Sequence, residues 1–322
     1  MAMELIGAAG MTAELKQTYD RKLLSVAEQN LVWYNFGDKK PIPARGGKSI
    51  EFRRFEKITV TAGSYTLTEG TPPTETQATI STVSATISQY GQFSKINDVL
   101  DLQSFDPVIA EFTEKYGIAM AEAVDIVVRD VVDNTTTIQY ADAATVTGTS
   151  GAGAVGSGNY LDAAELLEAR RTLRRANAKP VMDGKFVCFI HPDNAKDLFE
   201  DPDIVTAFQY AAPRESNNPL FSGVLGDWMG IRFVESTIVQ VLASNGMSGA
   251  DIYEVVMLGK EAFAITELGG QQAKIYVQKP GGVSDPLEQY STIGWKTALA
   301  AVILNQNFLV AIRCASSRAN AA

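Results

Sequence analysis

The sequence predicts an α+β fold, and three observations carry this prediction. Apolar and polar side chains alternate on either side of a polar stretch within residues 48–96, which is typical of two strands joined in an extended hairpin. Apolar side chains recur at helical spacing over residues 105–134, which predicts one long helix. Short apolar segments separated by turn residues follow, as in a mixed sheet. With 322 residues, the chain is long enough for two domains or one large one.

Composition narrows the classes of function. The chain is 46% hydrophobic and 20% charged, an ordinary globular balance, and its net charge is -9. Tight sequence-specific binding of nucleic acid depends on Lys and Arg contacts to phosphate, so an acidic chain argues against it, whereas a container for nucleic acid is compatible with this charge. Two cysteines and one histidine supply almost no ligands for a zinc site. No cofactor and no metal are expected.

Targeting segments are not predicted. Residues 1–17 lack a basic segment followed by an apolar one, so no signal peptide is expected. The longest apolar stretch, Thr297–Leu304, is far shorter than the roughly 18 residues that a membrane span needs. We therefore expect synthesis in the cytosol and no membrane partner.

The first 96 residues predict an arm and a hairpin. Residues 1–42 form an extended arm with one helix over Ala13–Gln29, capped by Thr12. The hairpin has its first strand from about Lys48, a polar tip, and a second strand over residues 78–96. Its faces are too polar for a deep core, and a lone hairpin is marginally stable in water. The hairpin is therefore expected to lie on a neighbouring subunit.

The long helix is predicted to begin at Asp106–Pro107, an N-cap followed by a proline at the first helical position, and to end at Asp133–Asn134. Residues 141–159 are small and glycine-rich, which indicates a flexible linker. The buried stripe of the helix is expected to comprise Val108, Phe112, Tyr116, Ala119, Ala123, Ile126 and Val127.

A second helix is predicted over residues 160–178. Two interpretations of its charged side stay open: a solvated face paired with Glu165 and Glu168, or a contact with packaged nucleic acid or another subunit. Its buried side is expected to comprise Leu166, Leu167, Ala169, Leu173 and Ala176. Its charged side carries a basic cluster of Arg170, Arg171, Arg174 and Arg175.

Further strands are predicted after this helix. Residues 185–192 form a continuous apolar run closed by a proline, which is typical of a buried strand, and Asp193 is expected to cap the next helix. Strand pairs are predicted over residues 228–237 and 251–268, and a short strand begins at Lys274. Residues 288–314 fit either one long strand or a helix.

Several segments resemble motifs for catalysis or for binding phosphate or metal, but a purely structural role explains each of them better. The GGKS sequence at residues 46–49 lacks the first glycine of a phosphate-binding loop, because Ile42 occupies that position, and a strand follows where that loop requires a helix. The acidic run of residues 193–203 lacks the calcium-loop pattern and predicts a solvated helix face.

Cys188 and Cys314 lie in apolar runs, which favours buried free thiols. His191 is interpreted as a strand-end histidine that hydrogen-bonds a turn; a hydrolase using His191 is the remaining enzymatic alternative.

In the order of its segments, the chain resembles the major capsid proteins of tailed phages with the Hong Kong 97 fold, within the branch of the phage N-four coat protein. The resemblance begins near Thr18 and covers most of the chain. It is carried by GGKSIEFRRFEKI, by QYGQFSKINDVLDLQSFDPV with the long helix, by AAELLEARRTLRRANA with FVCFIHPDNAKDLFED, by GDWMGIRFVESTI with YEVVMLGKEAFAITEL, and by the last segment, QYSTIGWKTALAAVILNQNFLVAIRCAS.

The resemblance implies an α+β fold of five parts. These are an N-terminal arm (1–42), an extended hairpin called the E-loop (43–96), a peripheral domain (97–190) whose spine helix spans about 106–134, an axial domain (191–287), and a return strand to the peripheral domain (288–322).

The resemblance also implies a function. It is that of a major capsid protein, not an enzyme, whose copies assemble as hexamers and pentamers into an icosahedral shell around double-stranded DNA. The implied partners are the chain itself, portal, scaffold and decoration proteins, and DNA bound without sequence specificity. The implied location is the virion, after synthesis in the host cytoplasm. An encapsulin-like compartment with the same fold around a protein cargo is the alternative.

Contacts between subunits are expected at charged side chains of the hairpin. Such charges set register and partner choice more than affinity. Lys48, Lys57 and Lys95 lie in or beside the hairpin, but no asparagine is identified as their partner, so no covalent cross-link is predicted. The expected contact residues are Arg53, Arg54 and Lys57 along the hairpin and Glu69 at its tip.

Overall fold

The computed structural model describes residues 31–43, 45–58, 60, 65–67, 69–71, 75, 77–103, 108–141, 155–211, 226–269, 273–279 and 287–318. The predicted helix over residues 13–29 with its Thr12 cap, the cap at Asp106–Pro107 and most of the 141–159 linker lie outside these residues. Among the described helices, none is long and apolar enough to cross a membrane.

The regular elements follow one another in this order. The strands are β1 (Asp38–Lys39), β2 (Ser49–Phe55), β3 (Ile80–Thr86), β4 (Ser88–Asn97), β5 (Ile138–Tyr140), β6 (Phe186–Ile190), β7 (Asp227–Trp228), β8 (Ile231–Glu235), β9 (Val241–Leu242), β10 (Ile252–Leu258), β11 (Phe263–Glu267), β12 (Lys274–Gln278), β13 (Tyr290–Ile303) and β14 (Leu309–Cys314). The helices are α1 (Asp98–Gln103), α2 (Val108–Val132), α3 (Ala163–Arg175), α4 (Pro192–Glu200) and α5 (Pro202–Ala211), with 3-10 turns at Trp33–Phe36, Met247–Gly249 and Gln306–Phe308.

Three sheets organise these strands, which confirms the predicted α+β class. A seven-stranded sheet has the order β5-β14-β10-β6-β8-β7, with β9 beside β10. A five-stranded sheet has the order β1-β11-β13-β12, with β4 on the other side of β13. The hairpin strands β2 and β3 form a sheet of their own. The boundary between peripheral and axial domains at residues 190/191 stays a prediction. Strand β6 precedes this boundary and strands β8 and β10 follow it, yet all three belong to the same sheet.

The long helix α2 connects the two large sheets. Its Tyr116 and Met120 pack against Ile293 and Trp295 of the five-stranded sheet. Near its end, Val128 packs in a second core with side chains of the seven-stranded sheet. The helix ends at Val132, immediately before Asp133–Asn134, as predicted.

The predicted apolar stripe of α2 is only partly correct: Val108 and Ala123 pack partly buried against the core that contains Tyr116, but two other members are exposed. Tyr116 is buried, whereas Phe112 and Ile126 are 39% and 38% exposed. The buried side includes polar Asp125 because its carboxylate accepts backbone N–H bonds from Val32, Trp33 and Tyr34. A polar residue that faces the core for this reason cannot be recognised from apolar spacing, so the spacing indicated only part of the buried side.

The second hairpin strand predicted over residues 78–96 is two strands. Strand β3 pairs with β2, but after Ile87 the chain joins the five-stranded sheet, where β4 pairs with β13 from Ser88↔Leu299 to Asn97↔Tyr290. The hairpin therefore ends at Thr86. The alternation of side chains continues across Ile87, and alternation does not specify the partner strand.

Two other strand predictions need correction. Strands β10 and β11, predicted as a pair over residues 251–268, lie in different sheets. The segment 288–314 is neither one strand nor a helix, because β13 and β14 also lie in different sheets and a 3-10 turn separates them. The second helix is confirmed as α3, and Leu166, Ala169 and Leu173 of its expected buried side are buried, but Leu167 is 39% exposed, which corrects the prediction for that residue. Asp162 caps α3 by accepting the backbone N–H groups of Ala164 and Glu165.

Candidate functional site

The hairpin of β2 and β3 has a buried base and an exposed outer part. At the base, Phe52, Ala85 and Ile87 pack against Ala298 and Ala300 of β13. Farther out, six large apolar side chains are exposed among the described residues, with Phe55 at 75% and Leu67 at 72%. The other four are Ile58, Val60, Tyr65 and Ile80. The base thus belongs to the subunit core, whereas the outer part carries apolar surface that the described chain does not cover.

The four predicted contact residues differ in how far they are engaged within the chain. Arg54 is engaged: its guanidinium lies 2.6 Å from the Glu56 carboxylate and donates to the Leu304 carbonyl oxygen at 3.3 Å. Arg53 is mostly exposed and reaches Glu51 only at 4.0 Å. Lys57 and Glu69 are exposed. An exposed ion pair contributes at most about 1 kcal/mol, so the pair with Glu51 does not prevent Arg53 from contacting another subunit. The exposed side chains of Lys57 and Glu69 are likewise accessible to another subunit.

One face of the five-stranded sheet is only partly covered. Side chains alternate along β13, and Ile293 and Trp295 face α2. On the opposite face, the hairpin base covers Ala298 and Ala300. The described residues leave the rest of that face, around Gly294, uncovered, and we call it the open face.

A groove of about 520 Å³ crosses the open face. Gly294 lies directly between Phe93 on β4 and Tyr276 on β12. These aromatic side chains are 67% and 41% exposed. A Cβ atom on Gly294 would lie 2.6 Å from the Cβ of Phe93, so the close packing of the strands requires glycine here. The groove therefore has aromatic walls and a backbone floor.

The charge of the open face is positive. Lys274 and Lys296 are directly opposite each other on β12 and β13, and like charges in such a pair destabilise a sheet. Lys95 is also exposed on this face, over the ring of Tyr290 at 4.4 Å. The described lining of the groove contains no carboxylate. The arrangement is suited to receive apolar and acidic groups together.

Sequence reasoning missed this groove. The available signal was glycine inside strands: Gly91 in β4 and Gly294 in β13 both occur beside aromatic residues. Glycine in a strand interior often indicates the close approach of another backbone or ligand.

The basic cluster on α3 is divided among several contacts. Arg171 pairs with Glu168, as expected, and this hydrogen bond lowers the pKa of Glu168. Arg174 lies 5.7 Å from the ring centre of Phe186. Arg170 is half-buried beside Gly230, and Arg175 is exposed. A contact of this cluster with DNA or another subunit stays a prediction.

His191 has a structural role at the end of β6. Its Nδ1 atom accepts the backbone N–H of Asp193 at 3.2 Å and caps α4, which confirms the predicted hydrogen bond to a turn. The prediction that Asp193 caps this helix is wrong, because Pro192 occupies the first helical position and the cap precedes it. Burial lowers the pKa of His191 and raises the pKa of both thiols, Cys188 and Cys314. Neither thiol is therefore an activated nucleophile at neutral pH.

The acidic run after His191 is only partly solvated. Asp197 is buried and accepts the hydroxyl and backbone N–H of Ser317, which corrects the predicted solvated face at this residue. Asp201 accepts the backbone N–H of Ala163 at 2.8 Å and links α3 to the turn before α5. Across the described residues, no group of three or more His, Cys, Asp or Glu side chains is arranged to hold a metal ion.

Comparisons with known sequences and structures identify proteins that share the fold described above. A sequence model for the family described as phage capsid protein matches residues 79–312. The asymmetric unit of the cyanophage Pam1 capsid is 17% identical, with a TM-score of 0.67 over 85% of this chain and 86% of that one. The Ralstonia phage GP4 capsid is 13% identical, with a TM-score of 0.67 over 87% of each chain. A virus-like particle from Pyrococcus furiosus is 12% identical, with a TM-score of 0.52 over 93% of this chain and 99% of that one. No curated protein sequence matches the chain.

Proposed function

The chain belongs to the phage capsid protein family and is a major capsid protein of an icosahedral shell, and on that premise we propose that its copies join as hexamers and pentamers around double-stranded DNA. The fold is that expected from the Hong Kong 97 resemblance. The chain is therefore a structural component of the virion that associates with itself.

The observation that carries the proposed mechanism is the match between the hairpin and the open face. Residues 58–79 contain no Lys or Arg, and their only charges are Glu69 and Glu75. Both carboxylates are exposed near apolar Tyr65 and Leu67. The open face presents aromatic walls beside Lys274 and Lys296. In the proposed contact, the hairpin tip of one copy lies on the open face of the next.

Each kind of side chain has its own part in this contact. Burial of a large apolar side chain contributes about 1.5–3 kcal/mol, so Tyr65 and Leu67 would provide affinity. Glu69 and Glu75 would relieve the repulsion between the two lysines and fix the register. Because the tip and the open face are different surfaces of one subunit, the contact is head-to-tail and generates a ring when the rotation closes.

The remaining partners extend this proposal. Portal and scaffold proteins, and decoration proteins on some shells, would meet the same lattice. DNA would be held without sequence specificity, with Arg170, Arg171, Arg174 and Arg175 as the candidate contact. Synthesis would take place in the host cytoplasm. The assignment of the five segments to arm, E-loop, peripheral domain, axial domain and return strand is part of the proposal.

A charge exchange tests the contact. Lys274→Glu with Lys296→Glu places acids opposite the acidic tip and should abolish particles seen by electron microscopy and light scattering. Glu69→Lys with Glu75→Lys should do the same. The quadruple variant should restore particles, because opposite charges meet again.

The control is Lys115→Glu, which changes the same charge at an exposed position of α2, away from the groove. It should assemble as the native chain does. Failure of the quadruple variant to restore assembly, while both double variants fold, would contradict the proposed pairing. Full assembly of either double variant would contradict it as well.

The contents of the particles separate a viral shell from an encapsulin-like compartment, which the match to the Pyrococcus furiosus particle keeps as the second candidate. Particles from the native source should protect double-stranded DNA from nuclease. Particles that hold a folded protein cargo and no DNA would favour the compartment.

A further inference from the structure

The last turn of α2 forms a joint with the seven-stranded sheet. Val128 and Val132 pack in the core that contains Phe189 of β6 and Leu309 of β14. Immediately after the helix, Thr135 donates to the Gln306 side-chain oxygen at 3.0 Å. Beyond it, the Thr137 carbonyl oxygen accepts the Ala311 N–H at 3.0 Å. The helix end is therefore fastened to the sheet by apolar packing and by a few specific hydrogen bonds.

A carboxyl group without a hydrogen-bond partner lies in this joint. The side chain of Asp133 is only 10% exposed, and both of its oxygens are buried and unpartnered. The nearest cation is Arg129, whose Nε lies 3.6 Å away. That guanidinium already donates to the Ile238 carbonyl oxygen at 2.7 Å and pairs with Asp130 at 2.5 Å. Arg129 therefore does not satisfy Asp133.

The groups that face Asp133 from the sheet do not satisfy it either. Glu254 on β10 is 2% exposed and lies opposite Arg313 on β14. The Arg313 guanidinium hydrogen-bonds Glu254 at 3.1 Å. The electrostatic surroundings of Asp133 are thus Glu254 and Arg313 from the sheet, with Arg129 and Asp130 from the helix.

The state of the Asp133 carboxyl follows from this environment. A buried carboxylate without compensating hydrogen bonds is costly, and such a group takes up a proton instead. Burial is the main cause, with repulsion by Glu254 second, and together they raise the pKa of Asp133 to about 8. At neutral pH the group is mostly neutral while the joint is closed.

We propose that Asp133 is a proton-operated latch between the long helix and the seven-stranded sheet. The neutral carboxyl permits the closed joint, and loss of the proton drives the helix end away from the sheet, so that water reaches the carboxylate. The latch concerns the conformation of one subunit and does not depend on how subunits contact one another.

The direction of the pH effect follows from the two forms of the joint. In the open form Asp133 meets water and has its ordinary pKa of 3.8, against about 8 in the closed form. Between these values the closed form holds a proton that the open form releases. The opening equilibrium therefore rises up to about tenfold per pH unit and levels off above about pH 8. Acid favours the closed joint.

Hydrogen exchange of the native subunit measures this equilibrium. We expect the opening constant of amides in residues 131–141 and at Ala311, corrected for the intrinsic pH dependence of exchange, to rise up to about 100-fold from pH 5.5 to 7.5. Amides of β13 should change far less. Asp133→Asn, a neutral side chain of the same shape, should remove most of the rise and stay closed at pH 7.5.

The matched control is Glu122→Gln on α2, an exposed carboxylate that is not among the charged groups around Asp133. It should keep the native pH profile. A native profile that is flat between pH 5.5 and 7.5 overturns the proposal, and this measurement needs no variant to fold. An Asp133→Asn profile as steep as the native one also overturns it.

Discussion

The seven-stranded sheet and the outer hairpin with the open face are built on opposite principles. Every residue of β10 and β6 is buried, and the strands on either side of them complete their hydrogen bonding. In the hairpin and on the open face, Phe55, Leu67 and Phe93 are each at least 67% exposed. The first region is finished within one chain. The second carries apolar surface that the described part of the chain leaves uncovered, as surfaces for another molecule do.

This difference separates stability from assembly. Substitutions in the finished region should change the free energy of unfolding of the subunit, and they should affect shells only through loss of the fold. Substitutions in the unfinished region should leave the subunit folded and act on the contact between copies. Three predictions test this separation, in order of their effect on the free energy of unfolding.

The largest effect is expected for Phe189→Ala in β6. Phe189 is fully buried and stacks on Trp33, with ring centroids 4.0 Å apart. Removing a buried aromatic ring costs about 3–5 kcal/mol, since the cavity is only partly refilled. Urea unfolding of the unassembled subunit measures this loss. Phe55→Ala, the matched control on the exposed hairpin, should change the free energy of unfolding by less than about 0.5 kcal/mol; equal losses for both would contradict the comparison.

An intermediate effect is expected for Asp125→Ala. Its carboxylate accepts the N–H groups of Val32, Trp33 and Tyr34 and thereby fastens the 3-10 turn to α2. Hydrogen bonds to a charged group contribute about 1.5–3 kcal/mol each, but two of these donors are only part-buried, so we expect a loss of about 2–3 kcal/mol in urea unfolding. Asp125→Asn keeps one acceptor oxygen and should lose less. A loss below about 0.5 kcal/mol for Asp125→Ala would show that this contact adds nothing to the finished region.

Local patterns predicted much of the fold because they depend on neighbours along the chain. Helical spacing located α3, and alternation located β2 and β3. Pairing of distant strands has no such signal. Nothing near residue 90 indicates that β4 leaves the hairpin for β13, and nothing near residue 260 indicates that β10 and β11 enter different sheets.

The candidate site was predicted less well for the same reason. The hairpin was expected to meet a neighbour, but its receiving surface combines β4, β12 and β13, which are up to about 200 residues apart. Arg54 was predicted as a contact residue, yet it binds Glu56 and the Leu304 carbonyl oxygen, a partner 250 residues away. Asp125 in α2 and Asp133 just after it carry no sequence signal of burial, because acidic residues ordinarily face water.

The smallest effect on the subunit, with the largest consequence for the shell, is expected for Phe93→Ser. Phe93 is 67% exposed on the open face, so its loss should change the free energy of unfolding by less than about 0.5 kcal/mol. It also forms one wall of the proposed seat of the hairpin tip, and removing a wall from every copy weakens each contact of the lattice. Light scattering should therefore record slower or absent assembly of a subunit whose free energy of unfolding in urea equals that of the native chain.

Phe112→Ser, at a 39% exposed position of α2 outside the groove, is the control and should assemble normally. Normal assembly of Phe93→Ser would place the receiving surface elsewhere, and a large loss of stability would mean that this face belongs to the finished part of the molecule.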